Sequence, residues 1–227
     1  MSEVLMPHLL HIDASARSRS FSRDLTARFA DAWRAADPGG GYTYRDLATD
    51  PPPPIGQAWT EICDDLLRHG ITDPVRYAEV VTTPERAAAW AVVEPLLGEV
   101  LTADVVLIGS PMYNYSVPGA LKTWIDQITF PRMSLAGKAF VVLSARGGAY
   151  GPGAPKAPFD HQERYLRDFF AGHFAVDDAV FLSVELSNTL VDPALGHLAV
   201  NHHESVTRAE AAVDELVAGL WASRWAG

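Results

Sequence analysis

The stretch from Ala103 to Gly109, ADVVLIG, constrains the fold more than any other part of the chain. Its centre is apolar at every position rather than at alternate ones, so the strand it forms must be covered on both faces. Such a strand belongs inside a parallel sheet flanked by helices, and the remaining sequence supplies both. His8 to Ala14 (HLLHIDA), Tyr42 to Arg45, Lys138 to Ala145 (KAFVVLSA) and Ala179 to Val184 read as four further strands, with helical segments between them. This alternation predicts an α/β fold: a doubly wound, five-stranded parallel sheet with helices on both faces. At 227 residues, without internal repeats or low-complexity linkers, the chain reads as one domain over 1–227.

The helices are marked by their caps. Ser20 or Ser22 can cap a helix that carries Leu25, Phe29, Ala32 and Trp33 and stops at Asp37-Pro38-Gly39. Asp46 to Pro54, with four consecutive prolines, must be an extended surface loop. Residues 55–83 carry the weakest pattern, one short helix from Trp59 to Leu67 and a loop. Pro84 opens a helix to about Leu101, which Pro95 is expected to kink or split. Further helices are expected after Pro118, from about Phe159 to Phe174, and from Glu204 to Trp221.

Charge and composition then exclude whole classes of function. A formal net charge of -10 argues against nucleic acid or an anionic membrane as the main partner, since phosphate surfaces attract clustered Lys and Arg. One anionic cofactor remains compatible, because backbone amides and hydroxyls can hold its phosphate. The single cysteine, Cys63, permits no intramolecular disulfide and no site of several thiolates, and is expected half-buried in the core. His202-His203-Glu204 resembles a metal motif, but adjacent side chains diverge on a helix or strand, so a helix-capping or surface role is expected and no metal. The N-terminus has no basic and long apolar leader, and no run approaches the ~20 apolar residues of a membrane span. A cytoplasmic protein is expected.

In an open parallel sheet, ligands bind beyond the carboxyl ends of the strands. After the first strand comes Asp13 to Ser22 (DASARSRSFS), whose serines, helix N-terminal amides and arginines Arg17 and Arg19 suit a phosphate. No GxGxxG or Walker lysine is present, so a dinucleotide fingerprint and a P-loop are not supported. After the third strand comes Gly109 to Lys122 (GSPMYNYSVPGALK), too aromatic for an ordinary surface turn and suited to a flat ring. Within it, the Asn114 amide can both donate to and accept from a ring's polar edge. After the fourth comes Ser144 to Gly151 (SARGGAYG), where paired glycines allow close backbone approach.

These three loops, in this order, resemble the FMN-dependent NADH-azoreductases, relatives of the flavodoxin-like NAD(P)H quinone reductases. The resemblance rests on Ser15, Ser20 and Ser22, on PMYNYSVPGALKTWID (Pro111 to Asp126), on ARGG (Ala145 to Gly148) and on RDL (Arg45 to Leu47). It implies a flavodoxin-like fold binding FMN rather than FAD, with Ser15, Ser20, Phe21 and Ser22 at the ribityl phosphate. Pro111, Met112, Tyr113, Asn114 and Tyr115 would line the isoalloxazine, and Ala145, Arg146, Gly147 and Gly148 would close over its pyrimidine side. It also implies a homodimer and ping-pong transfer from NADH or NADPH to a quinone or azo compound, the flavin carrying the chemistry. Trp59, Tyr77, Tyr115 and Phe130 are expected as large apolar side chains in loops bordering the flavin.

Three positions depart from the family pattern. Tyr115 replaces a usual Phe, and Tyr150 replaces a frequent His and is a possible substrate contact. Phe169 to Phe174 (FFAGHF) replaces a glycine-phenylalanine stretch and is expected to help roof the acceptor pocket. Two other functions fit the residues: a biosynthetic flavin reductase with one dedicated aromatic substrate, and an electron carrier without an organic substrate.

Overall fold

The computed structural model describes residues 7–224. Five strands form one all-parallel sheet: β1 (His8–Asp13), β2 (Gly41–Asp46), β3 (Val105–Pro111), β4 (Ala139–Ala145) and β5 (Val180–Val184). Their order is β2-β1-β3-β4-β5. The order reverses between β1 and β3, so the chain leaves these neighbouring strands in opposite directions and opens a crevice at their carboxyl ends.

Helices α1 (Phe21–Ala36), α2 (Gln57–His69), α3 (Pro84–Thr102), α4 (Gly119–Ile128), α5 (His161–Phe169) and α6 (Ala199–Arg224) cover the sheet. Every residue of β3 is buried. Val105 and Leu107 pack with Phe29 and Trp33 of α1 and Val213 of α6, while Val106 and Ile108 pack with Leu97, Trp124 and Leu166 of α3, α4 and α5. Each such side chain contributes about 1.5–3 kcal/mol of hydrophobic stabilisation, which is why an apolar run without alternation selects this position. Among the described residues, no helix is long and apolar enough to cross a membrane.

Several expectations are corrected. Pro95 does not split its helix; α3 runs unbroken from Pro84 to Thr102, because Val93, Leu96, Leu97 and Val100 are all buried around it. Residues 55–83 form α2, closed by left-handed Gly70 (φ 62°), and a 3₁₀ segment from Pro74 to Val80. Tyr77 and Phe130 are wholly buried, with ring centroids 4.9 Å apart and Trp59 5.4 Å from Phe130. They belong to the chain's own core and border no loop surface. Phe170 to Phe174 form a π-helical turn after α5, in which Phe170 and Phe174 pack on Phe140 of β4. None of 169–174 lines the cavity at the strand ends; Phe170 and Phe174 are core, and Ala171, Gly172 and His173 are exposed.

Cys63 is buried, and burial pushes its thiol up to about 12. His202 lies inside α6, which starts five residues earlier than expected. It is buried, neither cap nor surface: its Nδ1 stands 2.7 Å from the Glu185 carbonyl and its ring meets Phe21 edge-on at 5.0 Å.

A buried carboxylate stitches β1, β2 and α1 together beneath the crevice. Asp13 closes β1 at 3% exposure and accepts hydrogen bonds from Thr26 of α1 (2.9 Å) and Tyr44 of β2 (3.1 Å). Arg23 lies 3.5 Å from the same carboxylate and donates to Asp46 (2.8 Å) and to the Ser15 carbonyl (2.7 Å). One guanidinium thus fixes the start of the serine loop to the neighbouring strand. Gly109 of β3 makes room for this arrangement, since a Cβ there would collide with Asp13 Oδ1 and press on Thr26. Gly109→Ala is expected to destabilise the fold by about 1–3 kcal/mol through overpacking, read as a lower urea midpoint.

Burial opposes the charge on Asp46, but the Arg23 hydrogen bond and the Ala48 and Thr49 amides outweigh it and hold the carboxyl below its ordinary value. A carboxylate whose pKa falls on folding stabilises the protein above its unfolded value of about 3.9, and that stability is lost as pH falls through the lower, folded value. Asp46→Asn should therefore melt below the parent at pH 7, with the gap closing as the pH falls below about 4.

Candidate flavin site

Three strand ends meet at one cavity of about 620 Å³. This size suits a cofactor or small organic ligand. The β1 end contributes Ser15, Arg17, Arg19, Ser20 and Phe21. Ser20 caps α1, its Oγ accepting from the Arg23 N–H. The N–H groups of Ser18 to Ser22 have no acceptor among the described residues, so they converge as free donors at the positive end of a 16-residue helix. Arg17 and Arg19 are exposed beside them. This donor set is that of a phosphate site. Ser22 does not line the cavity: it is buried, with its Oγ 2.9 Å from Ser20 Oγ, and steadies the cap from behind.

The β3 end contributes Pro111, Met112, Tyr113, Asn114 and Tyr115. Tyr113 and Ser116 exchange two backbone hydrogen bonds of 3.0 Å, and both residues between them are left-handed, Asn114 at φ 49° and Tyr115 at φ 69°. This is a type I′ turn. Asn is favoured in it, whereas Tyr at positive φ costs roughly 1–3 kcal/mol and persists only when its surroundings fix it. Here the Tyr115 carbonyl accepts from His161 N–H (3.1 Å), and its ring packs on Phe159 (5.7 Å) and Tyr150 (6.3 Å). The strain holds an aromatic side chain, 44% exposed, at the cavity rim. Ala16 N–H donates to Tyr113 Oη (3.3 Å), joining this loop to the serine loop.

The β4 end contributes Ala145, Gly147, Gly148 and Tyr150. Gly147 and Gly148 N–H have no acceptor among the described residues, while their carbonyls accept from Asn188 (3.1 Å) and Leu186 (3.2 Å). A Cβ on Gly147 would lie 2.6 Å from Asn188 Oδ1, so glycine is needed here for close packing. Arg146 corrects the sequence reading. Its side chain is 3% exposed and absent from the cavity wall, turned instead to Asp160 (2.8 Å), Glu163 (3.0 Å) and Glu185 (3.7 Å). It anchors the glycine loop from outside.

Sequence reasoning missed Asp24, Lys156, Ser187, Asn188, Leu190 and Val191, which complete the wall. The rule that ligands gather at strand ends would have found Ser187 and Asn188, just beyond β5, had it been applied to the fifth strand. Lys156 carries no such local signal.

The cavity wall thus carries free amides and hydroxyls beyond β1, and an aromatic turn with further free N–H groups beyond β3 and β4. A family model for the flavodoxin-like fold matches residues 7–204. The chain is 64% identical to an FMN-dependent NADH:quinone oxidoreductase of Nocardia farcinica, over 88% of this chain and 93% of the relative. It is 40% identical to one from Parafrankia, over 90% and 96%. Among solved structures, an azoreductase from Bacillus anthracis superposes with a TM-score of 0.75 at 23% identity, covering 93% of this chain and 99% of that one. An FMN-dependent NADH-azoreductase from the same species, in complex with FMN, gives 0.72 at 18%, covering 94% and 99%. At such identities the superpositions speak for the fold alone. The chain belongs to the flavodoxin-like fold family, in the branch of the FMN-dependent NADH:quinone oxidoreductases.

Proposed function

We propose that the chain is a cytoplasmic FMN-dependent NADH:quinone oxidoreductase, also able to act on azo compounds, working as a homodimer. The observation that carries this reading is the convergence of the serine loop, the Met112–Tyr115 turn and the glycine loop on one cavity. FMN held there would supply two-electron chemistry, from NADH to an aromatic acceptor. The free amides of Ser18 to Ser22 would hold the phosphate, and those of Gly147 and Gly148 the polar edge of the ring. Tyr115, Tyr150 and Phe159 give the open side an aromatic wall on which a nicotinamide and then an acceptor can stack in turn, as a ping-pong cycle needs. A carrier without its own organic substrate has no use for such a wall. Burial raises the pKa of Tyr150, so its hydroxyl keeps its proton and serves as a donor to an acceptor oxygen.

The homodimer is supported by the rim. Tyr115, Phe159, Leu190 and Val191 are 44%, 50%, 62% and 75% exposed beside the cavity, and a second copy laid over them would bury them and close the site. Light scattering should give twice the chain mass across a wide concentration range, with an interface above ~1,000 Å². A monomer mass throughout would rule the dimer out.

The test of function is reconstitution. The purified chain should take up FMN in preference to FAD and oxidise NADH rapidly only when a quinone is present. Asn114 gives a site-specific control. Leu at φ 49° would strain the turn, whereas Asn114→Gly keeps the backbone and removes only the amide. Loss of one hydrogen bond to the ring should weaken FMN binding about tenfold by fluorescence quenching. Unchanged affinity would make the turn purely structural.

A further inference from the structure

We infer that Lys156 is the charge-compensating residue of the flavin ring, making this chain bind the reduced cofactor more tightly than the oxidised one. The inference rests on the cavity being the FMN site. Three cationic side chains line that cavity, and they are divided between its ends. Arg17 and Arg19 flank the phosphate donors beyond β1. Lys156 stands on the glycine loop beyond β4, two strands away in the sheet.

The Lys156 side chain lies across Gly148: a Cβ on that glycine would meet its Cδ at 3.2 Å and its Nζ at 3.3 Å. Its ammonium therefore stands beside Gly148, in the loop where the N–H groups of Gly147 and Gly148 have no acceptor among the described residues. Asp160, Glu163 and Glu185 are engaged elsewhere, around the buried Arg146. Among the described residues Lys156 has no carboxylate within ion-pair distance. A full positive charge and two amide donors from one loop of the cavity wall match a polar edge that becomes negative. They gain little from a neutral one.

Flavin chemistry supplies such a change of charge. Hydride from NADH brings two electrons and one proton to a neutral ring, leaving NAD⁺ behind and one net negative charge on the ring. That charge is spread over the pyrimidine edge, the edge with carbonyl oxygens for Gly147 and Gly148 to meet. Lys156 acts by attraction alone, an effect kept modest by the exposure of its side chain.

The experiment compares the parent with Lys156→Gln and Lys156→Arg. The midpoint potential of bound FMN is measured by equilibration with a reference dye, and oxidised FMN affinity by fluorescence quenching. Lys156 is exposed, so neither change should disturb folding. Lys156→Gln should bind oxidised FMN within about threefold of the parent, as expected for one exposed charge. Its preference for the reduced form should fall about tenfold, which for a two-electron couple lowers the potential by about 30 mV. Lys156→Arg should restore it. Equal potentials in the parent and Lys156→Gln would overturn the assignment, as would a loss of affinity equal for both redox forms. A parent that takes up no FMN would instead overturn the reading of the cavity, and Lys156 with it.

Discussion

Burial of β3 on both faces is the constraint on which the site depends. A strand with Val105, Val106, Leu107 and Ile108 all fully buried needs helices above and below it, and crossovers that bring the chain back in the same direction. All five strands then end at one edge. The loops beyond β1, β3 and β4 are forced to be neighbours, although more than a hundred residues separate the first from the last. The cavity is thus a consequence of how an apolar strand is covered.

Around that scaffold, polar groups do the aiming. Asp13 is buried with three partners from α1 and β2, and an unpartnered buried carboxylate would be costly, so each partner is held in place. Arg23 passes this rigidity to the serine loop through the Ser15 carbonyl. On the far side Arg146 does the same for the glycine loop, tied to Asp160, Glu163 and Glu185. Two arginines, Arg146 buried and Arg23 half-buried, therefore stand behind the two polar ends of the cavity. Neither needs to touch the ligand to matter to it. The strain lies between them, in the Asn114-Tyr115 turn, where a tyrosine is kept at positive φ by contacts from α5 and the loop before it.

Most of the strands, the caps and the three loops were legible because their signals are local. An apolar run, a serine before a helix and an aromatic turn after a strand each act over a few residues. What misled was side-chain direction. Arg146 sits in the loop expected to close over the ring and turns away from it, because three carboxylates from α5 and the end of β5 draw it outward. Tyr77 and Phe130 were expected at loops on the flavin border and are core, since α2 and α3 bring Trp59 and Trp90 around them. Phe169 to Phe174 resembled a roof, yet its Phe170 and Phe174 are packing for β4.

The sequence by itself determined the α/β architecture, the order of the strand-end loops and the family, because periodicity and loop composition are properties of short segments. Tertiary structure alone decided which side chains face the cavity. Lys156 lies over Gly148, Asn188 fills the space beside Gly147, and Ser22 and Arg146 support from behind. The Asn188 and Arg146 orientations are set by partners distant in the chain, through packing and charge that no local pattern encodes.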